Sequence, residues 1–169
     1  MTRDFYMDKV RKGTQNIKRF QMEDVIKPQS LAEHGYHVVN LFLIACNFTG
    51  YSPSVKELDK VINHDVLETL TGDLNKRIKD FSKETIQAWA VIEESVLDER
   101  WETEAYSDSF EGWEAKFISL LEFCDSMEAY LYCTEEYKRG NHNLGRALEY
   151  YHSRLRLMNS NLFSYIVGD

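Results

Sequence analysis

An all-α fold is predicted by three features of the chain. Breakers are scarce, with two prolines and eight glycines in 169 residues, while good helix formers abound. Apolar residues recur at three- and four-residue intervals along successive segments. Serines stand where helices should begin, at positions 30, 54 and 82, as N-cap chemistry requires. The length suits one domain spanning residues 1–169 with a hydrophobic core of its own. A net charge of −8 sets the surface against nucleic-acid polymers and anionic membranes, and no run is long and apolar enough to span a bilayer. Cys46, Cys124 and Cys133 lie in apolar helical surroundings without CxxC spacing. Reduced core thiols and a cytoplasmic location are therefore expected.

The first helix is expected over residues 5–20, the most basic part of the chain, with Arg19 and Phe20 where the chain leaves it. Residues 21–29 form a connector carrying Pro28. The second helix opens with Ser30-Leu-Ala-Glu33, a capping box in which serine and glutamate each bond the other's backbone N–H. Its apolar stripe, Leu31, Val38, Leu41, Phe42 and Ala45, includes His34 on the core-facing side. Ser54 caps a third helix that ends near His64-Asp65. A basic segment, Leu74-Asn-Lys-Arg-Ile-Lys79, follows Gly72-Asp73. Ser82 caps a fourth helix with Ile86, Trp89, Ala90, Ile92 and Val96 as its apolar positions. An acidic loop is expected over residues 98–109. A long helix over residues 111–139 carries Phe117, Leu120, Leu121, Cys124, Met127 and Leu131, and Asp125 falls at or beside that core stripe. Gly140-Asn141 stops it. A last helix, residues 144–162, has more apolar side chains than one stripe needs, which fits a subunit interface.

The stretch from Asn63 to Asp73 sets four titratable groups, His64, Asp65, Glu68 and Asp73, among Val61, Ile62, Val66, Leu67 and Leu70. Burying such groups is costly unless they bind something. His64 and Asp65 offer a nitrogen and a hard oxygen to one cation, and on a helix Glu68 would stand one turn beyond His64. With His34 and Asp125 from other helices they make an N₂O₂ set suited to Mn, Fe, Co or Zn, with positions left for water and substrate.

The order His…His-Asp…Asp resembles the HD-domain metal phosphohydrolases. Arg19-Phe20, Ala32-Glu33-His34, His64-Asp65-x-x-Glu68-x-Leu70-Thr71-Gly72-Asp73-Leu74, and Asp125 with Ala129-Tyr-Leu-x-Cys133-x-Glu135-Glu136-x-x-x-Gly140-Asn141 are similar to the bacterial 5′-deoxynucleotidase branch. Phage-encoded dATP triphosphohydrolases are compact relatives of that branch. The resemblance implies an HD-domain helical bundle that binds one divalent ion (Mn, Co, Zn, Fe or Mg) through His34, His64, Asp65 and Asp125. A single ion is implied because no histidine lies between Asp65 and Asp125, where dinuclear HD enzymes carry further ones.

The resemblance also implies roles for the neighbouring residues. Glu68 and Asp73 become the acids that steer water and manage the leaving 5′-oxygen, with base and acid unassigned between them. Arg19 and Lys79 face phosphate. Phe20 stands where the branch often has a tryptophan against C2′ of the sugar, so ribose exclusion should be looser. Glu122 replaces a frequent lysine, and Asn75 replaces a proline in the turn after the Gly-Asp. The implied substrate is a 2′-deoxynucleoside mono- or triphosphate, cleaved at its 5′-phosphate ester by a homo-oligomer, dimer or hexamer. Two alternatives stand beside it: a phage enzyme that depletes dATP, and a non-catalytic helical module stapled by a metal. Glu68, Asp73 and Arg19 speak against the last, since a structural site needs none of them.

Overall fold

Ser30 and Ser54 set where the site-bearing helices begin. In the computed structural model, which describes residues 10–21, 23–73, 81–96 and 112–168, each serine oxygen accepts the backbone N–H three residues on. Glu33 and Glu57 accept the serine N–H in return. These reciprocal caps satisfy donors that a helix start leaves open. The helices are α1 (Lys12–Asn16), α2 (Leu31–Thr49), α3 (Val55–Asn63), α4 (Glu68–Thr71), α5 (Lys83–Val96), α6 (Ala115–Lys138) and α7 (Gly145–Val167), with a 3₁₀ turn at His142–Leu144. No strand occurs among the described residues. An isolated bridge joins Lys18 to Ser30.

The all-α expectation is met, and α2, α6 and α7 supply most of the core. Val38, Phe42 and Ala45 of α2 meet Phe117, Leu121, Cys124 and Met127 of α6 and Leu155, Leu162 and Phe163 of α7, with Val61 of α3 added. Each large side chain so buried contributes roughly 1.5–3 kcal/mol. A second cluster joins Phe20 to Tyr132, Cys133, Leu144, Ala147 and Tyr151. All three cysteines are free and buried. Within α7, Asn159 breaks the helix at φ −162°, ψ 92°, and its Oδ1 accepts the Leu162 N–H at 3.0 Å. It thus caps the helix that resumes beyond it.

Three sequence expectations are corrected. Of the first helix, residues 12–16 are α-helical and 5–9 lie outside the described residues. The chain turns extended at Ile17 because Leu31 N–H bonds Ile17 O at 3.1 Å and Arg19 N–H bonds Gln29 O at 2.8 Å. The third helix ends at Asn63 with His64 as its C-cap, as expected, but Glu68 does not stand one helical turn beyond His64. Residues 64–67 form a turn with three-residue hydrogen bonds, and Glu68 opens a new short helix. The apolar stripe of α5 is not core, since Ile86 is 50% and Ile92 44% exposed. The apolar surplus expected of α7 is present, with Tyr151, Leu155 and Leu162 buried and Leu157 89% exposed, on a helix that runs on to Val167. The expected basic segment (74–79) and the whole of the expected acidic loop (98–109) lie outside the described residues.

The connector before α2 is fastened to the far end of α6 by Glu136, whose side chain is fully buried. Its carboxylate accepts from Ile26 N–H (2.6 Å), Lys27 N–H (3.0 Å), Asn141 Nδ2 (3.0 Å) and Arg139 Nη1 (3.2 Å). Burial alone would raise its pKa, yet these donors outweigh burial and hold it below the ordinary carboxylate range. A depressed folded-state pKa gives stability that is present above the unfolded pKa and lost as pH falls through the folded one. Glu136→Gln is therefore expected to cost about 1–3 kcal/mol near neutrality. In urea melts, the gap to wild type should narrow between about pH 5 and pH 3.

Gly13 gives a second test. A Cβ there would sit 2.7 Å from Thr69 Cβ and 2.8 Å from Thr69 Cγ2, so α1 lies directly on α4. Alanine normally gains about 1 kcal/mol over glycine inside a helix, but overpacking costs about 1–3 kcal/mol, and β-branched Thr69 yields little. Gly13→Ala should lower the melting temperature by roughly 2–4 °C. A rise would show that α1 is not seated on Thr69.

Candidate metal centre

His34 lies one turn into α2, fully buried. His64 is the residue following α3, Asp65 sits in the turn beyond it, and Asp125 lies midway along α6. One donor atom from each falls within 4.8 Å of all the others. His34 Nε2 is 3.2 Å from Asp65 Oδ2, 3.3 Å from Asp125 Oδ1 and 3.3 Å from His64 Nε2. His64 Nε2 is 3.4 Å from Asp65 Oδ2. Two ligands each about 2.1 Å from one ion stand roughly 3.0–3.4 Å apart at octahedral or tetrahedral angles. The spacing fits a shared cation.

Both imidazoles are oriented by their outer nitrogen. His64 Nδ1 donates to the Val61 carbonyl at 2.8 Å, and His34 Nδ1 donates to Glu128 Oε2 at 2.6 Å. Each Nε2 lone pair is thereby directed into the group, as metal-binding histidines require. Charge points the same way. Asp65, Asp125 and Glu128 stand against Arg19, three formal negative charges to one positive, an excess a divalent ion would cancel. Burial opposes ionisation of Asp65, but His64 and His34 hold its pKa well below the usual range. Burial and the Arg19 charge press His34 downward, yet Glu128, Asp125 and Asp65 outweigh them and leave it well above an ordinary histidine.

The other expected site residues fall as follows. Arg19 has a side chain 11% exposed, with Nη1 3.2 Å from Glu128 Oε2 and Nη2 3.8 Å from Asp125 Oδ1. Nη1 also abuts His34 Nδ1. Burial would lower its pKa, but Asp125, Asp65 and Glu128 raise it, so it stays charged. Phe20 follows with a left-handed φ of 57°; its ring stacks on Tyr132 at 5.0 Å. Asp73 Oδ2 accepts the Phe20 N–H at 2.9 Å, tying the turn after α4 to the Arg19 segment. Glu68 is buried at the first position of α4. Glu122 is half-buried on α6, one turn before Asp125. Lys79 and Asn75 lie outside the described residues. Sequence reasoning missed Glu128 and Gln29. Glu128 was visible as the residue three beyond Asp125 on the same face of one helix.

A helical bundle that brings His, His-Asp and Asp from three segments to one point defines the HD-type phosphohydrolases. Within that class, the family profile described as 5′-deoxynucleotidase YfbR-like matches residues 6–167, and the chain belongs to this family. It is 29% identical over 165 positions to the 5′-deoxynucleotidase YfbR of Salmonella newport, covering 90% of this chain and 83% of that protein. Its fold is similar to that of a conserved Pyrococcus furiosus protein, with TM-score 0.66, 21% identity, and 95% and 99% of the two chains covered. It is equally similar, at TM-score 0.66 and 24% identity, to the cyanophage S-2L HD phosphohydrolase DatZ, bound to dA and one catalytic Zn²⁺ ion, with 88% and 83% covered.

If the carboxylate excess is what the cation relieves, Asp125→Asn should split two properties that usually move together. The metal-stripped variant should melt above metal-stripped wild type. Wild type should gain about 2.7 kcal/mol at metal 100-fold above its dissociation constant, and the variant far less. Scanning calorimetry with and without Zn²⁺ checks both; an equal metal-induced shift in the two proteins would overturn the assignment.

Proposed function

We propose that the chain, acting as one domain, hydrolyses the 5′-phosphate ester of 2′-deoxynucleotides, with one divalent ion held by His34, His64, Asp65 and Asp125. The convergence of these four donors beside a buried, charged arginine carries the reading. When bound, such an ion supplies Lewis-acid polarisation of a phosphoryl oxygen and a lowered pKa for water. The chain's own residues supply the rest.

Arg19 offers a fork of donors matched to phosphate oxygens. Its Nε–H is buried and bonds to nothing among the described residues, so the guanidinium keeps donor capacity beyond its ties to Glu128. Glu68 and Asp73 steer the attacking water and protonate the leaving 5′-oxygen. Phe20, anchored through its N–H by Asp73 and through its ring by Tyr132, presents bulk on the sugar side, where a 2′-hydroxyl would be excluded. By the family resemblance, Lys79 is assigned to phosphate binding. The same ester bond adjoins the deoxyribose in a monophosphate and a triphosphate, so both are substrates in principle. The likeness to DatZ, bound to dA and Zn²⁺, supports zinc and an adenine deoxynucleotide as the first choices to test. Exposed Leu157 and Tyr165 on α7 support a homo-oligomer. No described helix is long and apolar enough to cross a membrane.

Metal-stripped protein should be assayed with Zn²⁺, Co²⁺, Mn²⁺ or Mg²⁺ against dNMPs, dNTPs and the matching ribonucleotides. Orthophosphate from dNMPs alone would assign a nucleotidase, and triphosphate from dATP a pool-editing hydrolase. Silence on every combination would overturn the proposal. Glu68→Gln is expected to lower kcat by roughly 10²–10⁴-fold with metal still bound. Undiminished turnover would remove Glu68 from the chemistry.

A further inference from the structure

Glu128 is 4% exposed and is not one of the four converging donors. Three side chains nevertheless end on it: Gln29 Nε2 reaches Oε1 at 2.6 Å, while His34 Nδ1 at 2.6 Å and Arg19 Nη1 at 3.2 Å share Oε2. We propose that Glu128 is a positioning residue that couples cation binding to the arginine, fixing the His34 tautomer and the Arg19 guanidinium through one oxygen. The Arg19 half of this proposal rests on the deoxynucleotidase reading above; the His34 half does not.

The need for such a residue follows from what surrounds His34. A neutral imidazole carries one N–H, on either nitrogen. Asp65 and Asp125, 3.2 and 3.3 Å from Nε2, would both accept a proton placed there, and that tautomer has no lone pair to give a cation. A competing acceptor at Nδ1 reverses the preference, and Glu128 supplies a charged one at shorter range. Arg19 Nη1 also abuts Nδ1 and, having only donors, opposes a proton there, so the preference rests on the Glu128 carboxylate. His64 faces Asp65 at Nε2 as well, but there the backbone carbonyl of Val61 holds Nδ1. That carbonyl is neutral and is not shared with Arg19.

The arginine is held twice by the same assembly. Its backbone N–H bonds Gln29 O at 2.8 Å, and the Gln29 side chain bonds Glu128, which in turn bonds the guanidinium. Backbone and side chain of Arg19 are thus set by the connector and α6 together. Movement of Glu128 would disturb the metal ligand and the anion-binding fork at once.

The test compares wild type, Glu128→Gln and Glu128→Asp by calorimetric titration of Zn²⁺ into metal-stripped protein, with melting of the stripped forms as a check of folding. Glu128→Gln keeps the shape and removes the charge, and should weaken Zn²⁺ binding roughly 10- to 100-fold. Glu128→Asp keeps the charge and should recover part of the loss. At saturating Zn²⁺, Glu128→Gln should raise KM for a dNMP more than it lowers kcat. Wild-type Zn²⁺ affinity in Glu128→Gln would overturn the tautomer role, and a wild-type KM at saturating metal would overturn the Arg19 role. Independently of any variant, ¹⁵N-histidine spectra of Zn²⁺-loaded wild type should show the His34 proton on Nδ1; a proton on Nε2 would overturn the proposal. Weakened Zn²⁺ binding in the variant with no nucleotide hydrolysed by wild type would sink the deoxynucleotidase reading and support the His34 half.

Discussion

Three carboxylates gather around one buried imidazole with a single guanidinium against them, and the bundle is arranged to make that arrangement tolerable. Desolvating unmatched charge costs several kcal/mol per ion, more than any one packing contact returns. Each member is therefore tied to a partner: Glu128 to His34, Arg19 and Gln29, Asp65 to His34 and His64. The residual negative charge is what suits the site to a cation. Well-packed apolar side chains in their place would often be at least as stable and would offer a cation no ligand.

That demand explains where the helices stop. Had α3 continued regularly through residues 64–68, His64 and Glu68 would have shared one face of a single rod. The turn at residues 64–67 releases the chain from that register, so His64 and Asp65 can both reach His34 while Val66 and Leu67 are buried beneath them. The early end of α1 has a matching cause. Extended backbone at residues 17–19 pairs with the connector and brings Arg19 alongside α2 and α6, which a helix through residue 20 would not do. In both places local propensity yields to the delivery of a side chain.

Much of this was legible beforehand, for reasons that can be stated residue by residue. The capping boxes at Ser30 and Ser54 and the stripe from Leu31 to Ala45 are local signals, read within one or two turns, and they mark α2 and the start of α3 correctly. The gathering of His34, His64-Asp65 and Asp125 was legible because charged groups recur on otherwise apolar faces, and because their order resembles a known family. Glu128 gave only a weak signal, its place three residues beyond Asp125, since a glutamate on a long helix with acidic neighbours looks solvated until α2 and the connector are docked on it. The exposure of Ile86 and Ile92 was illegible for the opposite reason: periodicity reports that a face is apolar, not that a partner covers it. The left-handed φ of Phe20 has no local signal, because phenylalanine does not favour that region.

Phe20 also shows how the site divides its rigidity. A bulky residue at positive φ persists only where surroundings over-determine it, and here an Asp73 carboxylate on the N–H and Tyr132 against the ring do so. His34 and Asp125 stand on helices of 19 and 24 residues built into the main core. Glu68 and Asp73 belong to a four-residue helix and the turn after it, too short to be stable alone, and Arg19 and Phe20 to a short non-helical segment. The half that carries His34 and Asp125 is thus held by packing. The half proposed to meet the substrate is held by a few specific bonds, chiefly Asp73 to Phe20 N–H and Glu128 to Arg19. Bonds of that kind yield more readily than a packed core. Adjustment to a substrate would therefore start in residues 17–20 and 68–73, with His34 and Asp125 staying in place.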